Sequence, residues 1–140
     1  MGDFYGADLA AIHADGFGGL GAAAAGVVAQ ALGDSLAGAR ILDLGCGAGA
    51  LAAPLTQAGA RVWGLDLSKD LLAIARRRVP GASFIQGSLH DGELPGAQAV
   101  CAIGEVVNYL ADPRAGDAAL RRFLEKAARA LPRDLSLIHI

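Results

Sequence analysis

A chain of 140 residues, 54% of them hydrophobic and 19% charged, reads as one domain with enough apolar side chains to bury a real core. A net charge of -2, a pI near 5.8 and only 5% aromatics argue against a nucleic-acid partner, which needs a basic face with stacking platforms. No apolar run reaches the roughly 18 residues of a membrane span, and the first residues lack the charged, apolar, small order of a secretion signal. Ala22 to Leu32 is apolar but too short to span. Cys46 and Cys101 fall in or beside strand ends, where they read as reduced core residues of a cytoplasmic protein.

In chain order, residues 4–14 predict a short amphipathic helix with Tyr5, Leu9 and Ile12 on one face. Gly16, Gly18, Gly19 and Gly21 break it, and residues 22–37 predict a second, alanine-rich helix. Arg40–Leu44 is a continuous apolar strand, expected to be central and buried on both faces. Residues 50–58 predict a helix with Pro54 bending its first turn and Gly59 closing it. Arg61–Leu65 is the second strand. Ser68 is a good N-cap for the next helix, with Asp70 in its first turn and Arg76, Arg77 and Arg78 in its last. That arginine run reads as a solvated helix end in preference to a phosphate site.

Residues 83–86 and Gln98–Ile103 predict strands three and four, separated by a loop with turn signals at Asp91-Gly92 and Pro95-Gly96. Glu105–Leu110 predicts a helical turn, and Asp117–Leu131 a helix. Leu120, Phe123, Leu124, Ala127, Ala128 and Leu131 form its inward stripe. Strands alternating with helices imply an α/β, doubly wound, Rossmann-like parallel sheet in the order 3-2-1-4.

The informative stretch is Ile41-Leu42-Asp43-Leu44-Gly45-Cys46-Gly47-Ala48-Gly49, followed by Val62-Trp63-Gly64-Leu65-Asp66. A strand that turns sharply into a helix beside a ligand needs backbone without Cβ atoms, which Gly45, Gly47 and Gly49 provide. The following helix aims N–H groups and its positive end at the loop, which suits a carboxylate. Asp66 ends the second strand beside the loop, and its carboxylate suits a ribose diol. Asp43 stands where a ligand's ammonium group can be met directly or through water. Gly45, Gly47 and Ala50 also fit the relaxed dinucleotide pattern. A dinucleotide fingerprint, however, usually carries an apolar residue in place of Asp43 and opens its domain, whereas a lead of about 40 residues precedes this loop.

Ile41–Gly49 and Val62–Ser68 resemble the first two motifs of class I S-adenosylmethionine-dependent methyltransferases. Phe84–Leu89 resembles the third strand and adenine-side loop, Ala99–Val106 the fourth strand and active-site edge, and Tyr5–Gly19 the lid of small-molecule members. The resemblance covers roughly residues 1–131. It implies N-terminal lid helices over 1–38 and a Rossmann-like core over 39–133, within one domain spanning 1–140. It assigns S-adenosyl-L-methionine to Asp43, Gly45, Cys46, Gly47, Gly49, Asp66, Leu67, Gly87, Ser88, Leu89, Ile103 and Gly104. It places Tyr5, His13, Glu105 and Asn108 as catalytic candidates near the methyl group. His90 and His139 have no metal-ligand spacing with each other or with a cysteine, so no metal is expected. The fourth-strand segment lacks the Asn/Asp-Pro-Pro-aromatic motif of base-amino methyltransferases, which leaves a small, neutral or cationic methyl acceptor.

The tail departs from the family. A fifth strand and a terminal hairpin are expected after Pro132, but Asp134–Ile140 lacks the glycine turn. It resembles the peptide translated when a reading frame runs into sequencing adapter, so that the natural sequence continues differently after Arg133. The alternative is a natural short strand, since Leu135, Leu137, Ile138 and Ile140 have β character. Under either origin it forms at most a short fifth strand, and an open sheet edge there favours self-association. Three functions stay open: a small-molecule methyltransferase, a cofactor-binding fragment without catalysis, and an NAD(P)-dependent oxidoreductase.

Overall fold

The computed structural model describes residues 6–104, 106, 112–133 and 138–139. Tyr5, Glu105 and Asn108 lie outside the described residues, as does the expected turn over Glu105–Leu110 apart from Val106. The sheet runs β3 (Ser83–Gln86), β2 (Arg61–Asp66), β1 (Arg40–Leu44), β4 (Ala99–Ala102) and β5 (Ile138–His139), with every pairing parallel. The expected order 3-2-1-4 therefore holds. β5 pairs Ile138 with Cys101 and His139 with Ala102.

Alternation along the strands sends Ile41, Val62, Phe84 and Cys101 to one face and Leu42, Leu44, Val100 and Ala102 to the other. The first face packs under α2 (Gly18–Leu32), α3 (Ala52–Gln57) and α4 (Lys69–Arg78) through Val28, Leu55, Leu72 and Ala75. The second is covered by α5 (Asp117–Ala130) through Phe123, Ala127 and Ala130. Strand β1 is central and buried from Ile41 to Leu44, Asp43 included.

Several boundaries differ from expectation, each for a local reason. The glycines after α1 (Ala7–Gly16) do not end the helical region: α2 begins at Gly18, after a bend of 50°. Gly21 lets α2 press onto the loop below, because a Cβ there would lie 2.6 Å from that of Ala50. The second helix also stops early, at Leu32, and a 3-10 turn over Gly33–Ser35 follows. Helix α3 is two residues late at its start, and Pro54 falls in its first turn, where a missing N–H costs little.

Strand β4 is shorter than expected at both ends. Gln98 instead exchanges bonds with Arg40: its side-chain oxygen accepts from Arg40 N at 2.7 Å and its own N–H donates to Arg40 O at 2.9 Å. In α4 the Ser68 hydroxyl caps Leu71 N at 3.2 Å, while Arg76 turns back to donate to Phe84 O at 2.9 Å. Helix α5 is rotated from its expected stripe: Ala119, Phe123, Lys126, Ala127 and Ala130 face inward, and Leu124 and Ala128 face out.

Candidate cofactor site

The site forms where β1 and β2 end side by side. Gly45 N and Cys46 N both donate to Leu65 O, at 2.7 and 3.0 Å, so the loop folds back against the neighbouring strand. Gly49 N then closes on Cys46 O at 3.0 Å. Gly45, Gly47 and Gly49 all hold positive φ, of 73°, 52° and 84°, a conformation that favours glycine. Their surroundings differ. A Cβ on Gly45 would collide with Val106, and one on Gly49 would crowd Val79 at 3.2 Å. A Cβ on Gly47 would meet nothing nearer than His13 Cε1 at 4.0 Å. Gly45 and Gly49 serve protein packing, whereas Gly47 is buried beneath the lid, where a Cβ would come only into ordinary van der Waals range of His13.

Asp66 locks this loop to the second strand. Its Oδ2 accepts from Gly47 N at 2.8 Å and its Oδ1 from Ser68 N at 2.9 Å. Each carboxylate oxygen keeps a second lone pair, so the group can hold the loop and still accept from a ligand. Burial lifts Asp66 above the ordinary aspartate value, against the opposing pull of Ser68 N–H, Gly47 N–H and His13. Asp43 lies under the loop, 2% exposed, and its Oδ2 has no hydrogen-bond partner. Burial, and then the charge of Asp66, push Asp43 up to about 7. Two neighbouring carboxylates, one of them orphaned, form a site that a cation would settle.

The third wall is the turn after β3. Gly87 N donates to Asp66 O at 2.9 Å, which brings this segment next to the glycine loop. Asp91 N then closes on Ser88 O at 3.1 Å, and His90 N donates to Ser88 Oγ at 3.1 Å. Among the described residues none accepts from the backbone N–H of Ser88 or Leu89. Their side chains are engaged elsewhere: the Ser88 hydroxyl donates to Asp112 Oδ2, and Leu89 is buried in the second core. What Ser88 and Leu89 present to a ligand is therefore backbone.

Helix α1 covers the loop as a lid. Ala10 and Ala14 pack on Ala48 of the loop and on Leu71 and Ile74 of α4. This seats His13, half-buried and stacked on Phe17 with ring centroids 4.3 Å apart, over Gly47. Cys46 turns its thiol into the first core, where burial raises its pKa, so only its backbone belongs to the loop. Leu67 is half-buried and its carbonyl accepts from Gln86 Nε2 at 3.0 Å. Ile103 packs against the first core, and Gly104 follows β4 with φ 85° and open space around it.

Three contributors were not singled out from the sequence. Val106 lies against Gly45. Asp112, 5% exposed, accepts from Ser88 Oγ and from Arg114 N at 3.0 Å. Lys126, also 5% exposed, donates from the inner face of α5 to Leu89 O at 2.7 Å and to Asp91 O at 3.4 Å. Among the described residues no cluster of side chains has the makings of a metal site.

Comparison with known proteins places this arrangement. The profile of a methyltransferase domain matches residues 41–133. Over 95 residues the chain is 41% identical to the dTDP-3-amino-3,6-dideoxy-alpha-D-glucopyranose N,N-dimethyltransferase of Streptomyces fradiae, covering 67% of this chain and 36% of that protein. Over 111 residues it is 34% identical to a ubiquinone biosynthesis O-methyltransferase of Alkalilimnicola ehrlichii, covering 74% of this chain and 44% of that one. The chain thus spans less than half the length of these curated relatives.

Among solved structures, a TehB-like SAM-dependent methyltransferase from Corynebacterium glutamicum superposes with a TM-score of 0.70 at 25% identity, covering 93% of this chain and 71% of that one. The SAM-bound amino pentose methyltransferase from Micromonospora echinaspora gives a TM-score of 0.70 at 28% identity, covering 97% of this chain and 56% of that one. The glycine loop and the acid that clamps it both lie within the matched residues, and the chain belongs to the class I S-adenosylmethionine-dependent methyltransferases.

Proposed function

We propose that this chain is the cofactor-holding portion of an enzyme that transfers a methyl group from S-adenosylmethionine to a small-molecule acceptor. The observation that carries this reading is the Asp66 carboxylate, bonded at once to Gly47 N and Ser68 N where the glycine loop meets the end of β2. The residues fit the cofactor. The spare lone pairs of Asp66 suit its ribose diol, the orphaned Oδ2 of Asp43 suits its ammonium group, and the N–H groups of Ser88 and Leu89, without an acceptor among the described residues, suit acceptor atoms on its base.

The sulfonium of the bound cofactor supplies an already activated methyl group, so the protein's share of the work is alignment and the exclusion of water. Asp43 and Asp66 hold the two ends of the amino-acid and sugar portion. The lid, seated by Ala10 and Ala14, brings His13 over Gly47 and covers the loop from solvent. The acceptor approaches beyond the end of β4, where ligands enter open α/β sheets. A small acceptor agrees with the relatives, named for an amino sugar and for a ubiquinone precursor pathway. Glu105, Asn108 and Tyr5 remain the proposed acceptor-side residues.

Isothermal titration tests the reading. S-adenosylhomocysteine is expected to bind, and NAD and NADP are expected not to. Tight dinucleotide binding with no S-adenosylhomocysteine binding would overturn it.

A further inference from the structure

Lys126 is the one charged residue that α5 buries. Its neighbours on the inward face are Ala119, Phe123, Ala127 and Ala130, all apolar. A buried ammonium is expensive to desolvate, and an apolar residue of similar volume at such a position is often neutral or stabilising. A lysine there needs a reason beyond packing. The charge is spent on two backbone carbonyls of one turn, Leu89 O at 2.7 Å and Asp91 O at 3.4 Å.

Leu89 seats that turn in the second core, and polar contacts fix its backbone. Behind it lies a cavity of about 260 Å³ lined by His90, Glu93, Phe123 and Lys126 among others, and both ring nitrogens of His90 are buried there without a partner. The turn's backbone is fixed by Lys126 from one side and by the Ser88–Asp112 hydrogen bond from the other. A third link, Arg114 Nε to Asp91 Oδ1 at 2.8 Å, joins more exposed side chains. The N–H groups of Ser88 and Leu89 lead into this same turn, which begins beside Asp66.

We propose that Lys126 is a positioning residue: by gripping the carbonyls of Leu89 and Asp91 it fixes the turn so that the N–H groups of Ser88 and Leu89, which no described residue accepts from, select the base of the cofactor. This rests on the cofactor reading above. Two fixed N–H donors favour a base edge that presents ring-nitrogen acceptors, as adenine does. They disfavour hypoxanthine, whose N1 carries a hydrogen. Selection of the base is therefore the property that should depend on Lys126, over and above general affinity.

The test compares S-adenosylhomocysteine with S-inosylhomocysteine on the wild-type protein and on Lys126→Met, which keeps an unbranched stem of similar length and removes the charge. The wild type should prefer the adenine ligand. Lys126→Met should lose about tenfold in affinity for S-adenosylhomocysteine, the equivalent of one good hydrogen bond. Its affinity for the inosine analogue should change by about twofold or less, so the preference collapses. Ser88→Ala, which cuts the other anchor, should shift the preference the same way and serves if Lys126→Met does not fold. An equal loss for both ligands in a folded variant assigns Lys126 to stability alone and overturns the proposal, as does an unchanged preference. A wild-type protein that binds neither ligand refutes the cofactor reading itself, which is a different result.

Discussion

The two backbone turns that frame the proposed cofactor site are held in opposite ways. The glycine loop is braced by its immediate surroundings: Leu65 O takes two of its N–H groups, and Asp66 takes a third across 19 residues of chain. The turn at Ser88–Asp91 is braced from a distance, by Asp112 at 24 residues and Lys126 at 37. The first is complete within one strand–helix–strand unit. The second is assembled only when α5 docks on the sheet. The glycine loop thus draws its hydrogen bonds from one local unit, whereas the Ser88–Asp91 turn depends on the docking of a distant helix.

The largest expected effect falls on the glycine loop. Gly47→Val should abolish S-adenosylhomocysteine binding, a loss of more than about 3 kcal/mol, because a branched side chain enters the ligand's space from a backbone at φ 52°. Gly45→Ala sharpens the contrast within the same loop. Its Cβ strikes Val106, so thermal stability should fall before affinity does. Calorimetry beside melting curves separates the two. A Gly47→Val protein that folds and still binds would remove the loop from the site.

The two turns should also respond differently to pH. Asp43, beneath the glycine loop, sits at about 7 against an ordinary aspartate value of 3.8. The folded protein keeps this proton where the unfolded chain has lost it. The contribution to stability therefore falls as pH rises from about 4 to about 7, by up to about 4 kcal/mol. Cofactor affinity moves the other way, because a ligand ammonium needs the ionised form. It should rise about tenfold between about pH 6 and about pH 8. Asp43→Asn should flatten both trends, checked by urea unfolding and titrations across that range. At the other turn, burial pushes Asp112 up, but bonds from Ser88 and Arg114 N–H and the charges of His90 and Arg114 bring it below the usual value. Asp112 therefore stays ionised throughout that range and adds no such trend.

The same division decides what the sequence made legible. Asp43, the three glycines and Asp66 are close in sequence and chemically unusual, so motif and spacing identify them. The order 3-2-1-4 follows from alternation and the right-handed crossover. The anchors of the second turn carry no such signal. Lys126 reads as one more polar residue on an amphipathic helix, and the stripe drawn through Leu124 and Ala128 is rotated because an ammonium with two carbonyls can lie inward. The glycines from Gly16 to Gly21 read as breakers, yet Gly18, Gly19 and Gly21 lie inside α2, and at Gly21 Ala50 is too close for a side chain. Asp112 and Val106 matter through partners that only the folded chain brings near.

The central claim is that the Asp66 carboxylate both clamps the glycine loop and holds the cofactor. Titrating S-adenosylhomocysteine into wild-type and Asp66→Ala protein at about pH 8 tests it most directly. Saturable binding to the wild type, weakened by about 1–3 kcal/mol in a folded Asp66→Ala variant, is the result expected for a charged hydrogen-bond acceptor lost from the site. Equal affinity in the two folded proteins would contradict the claim.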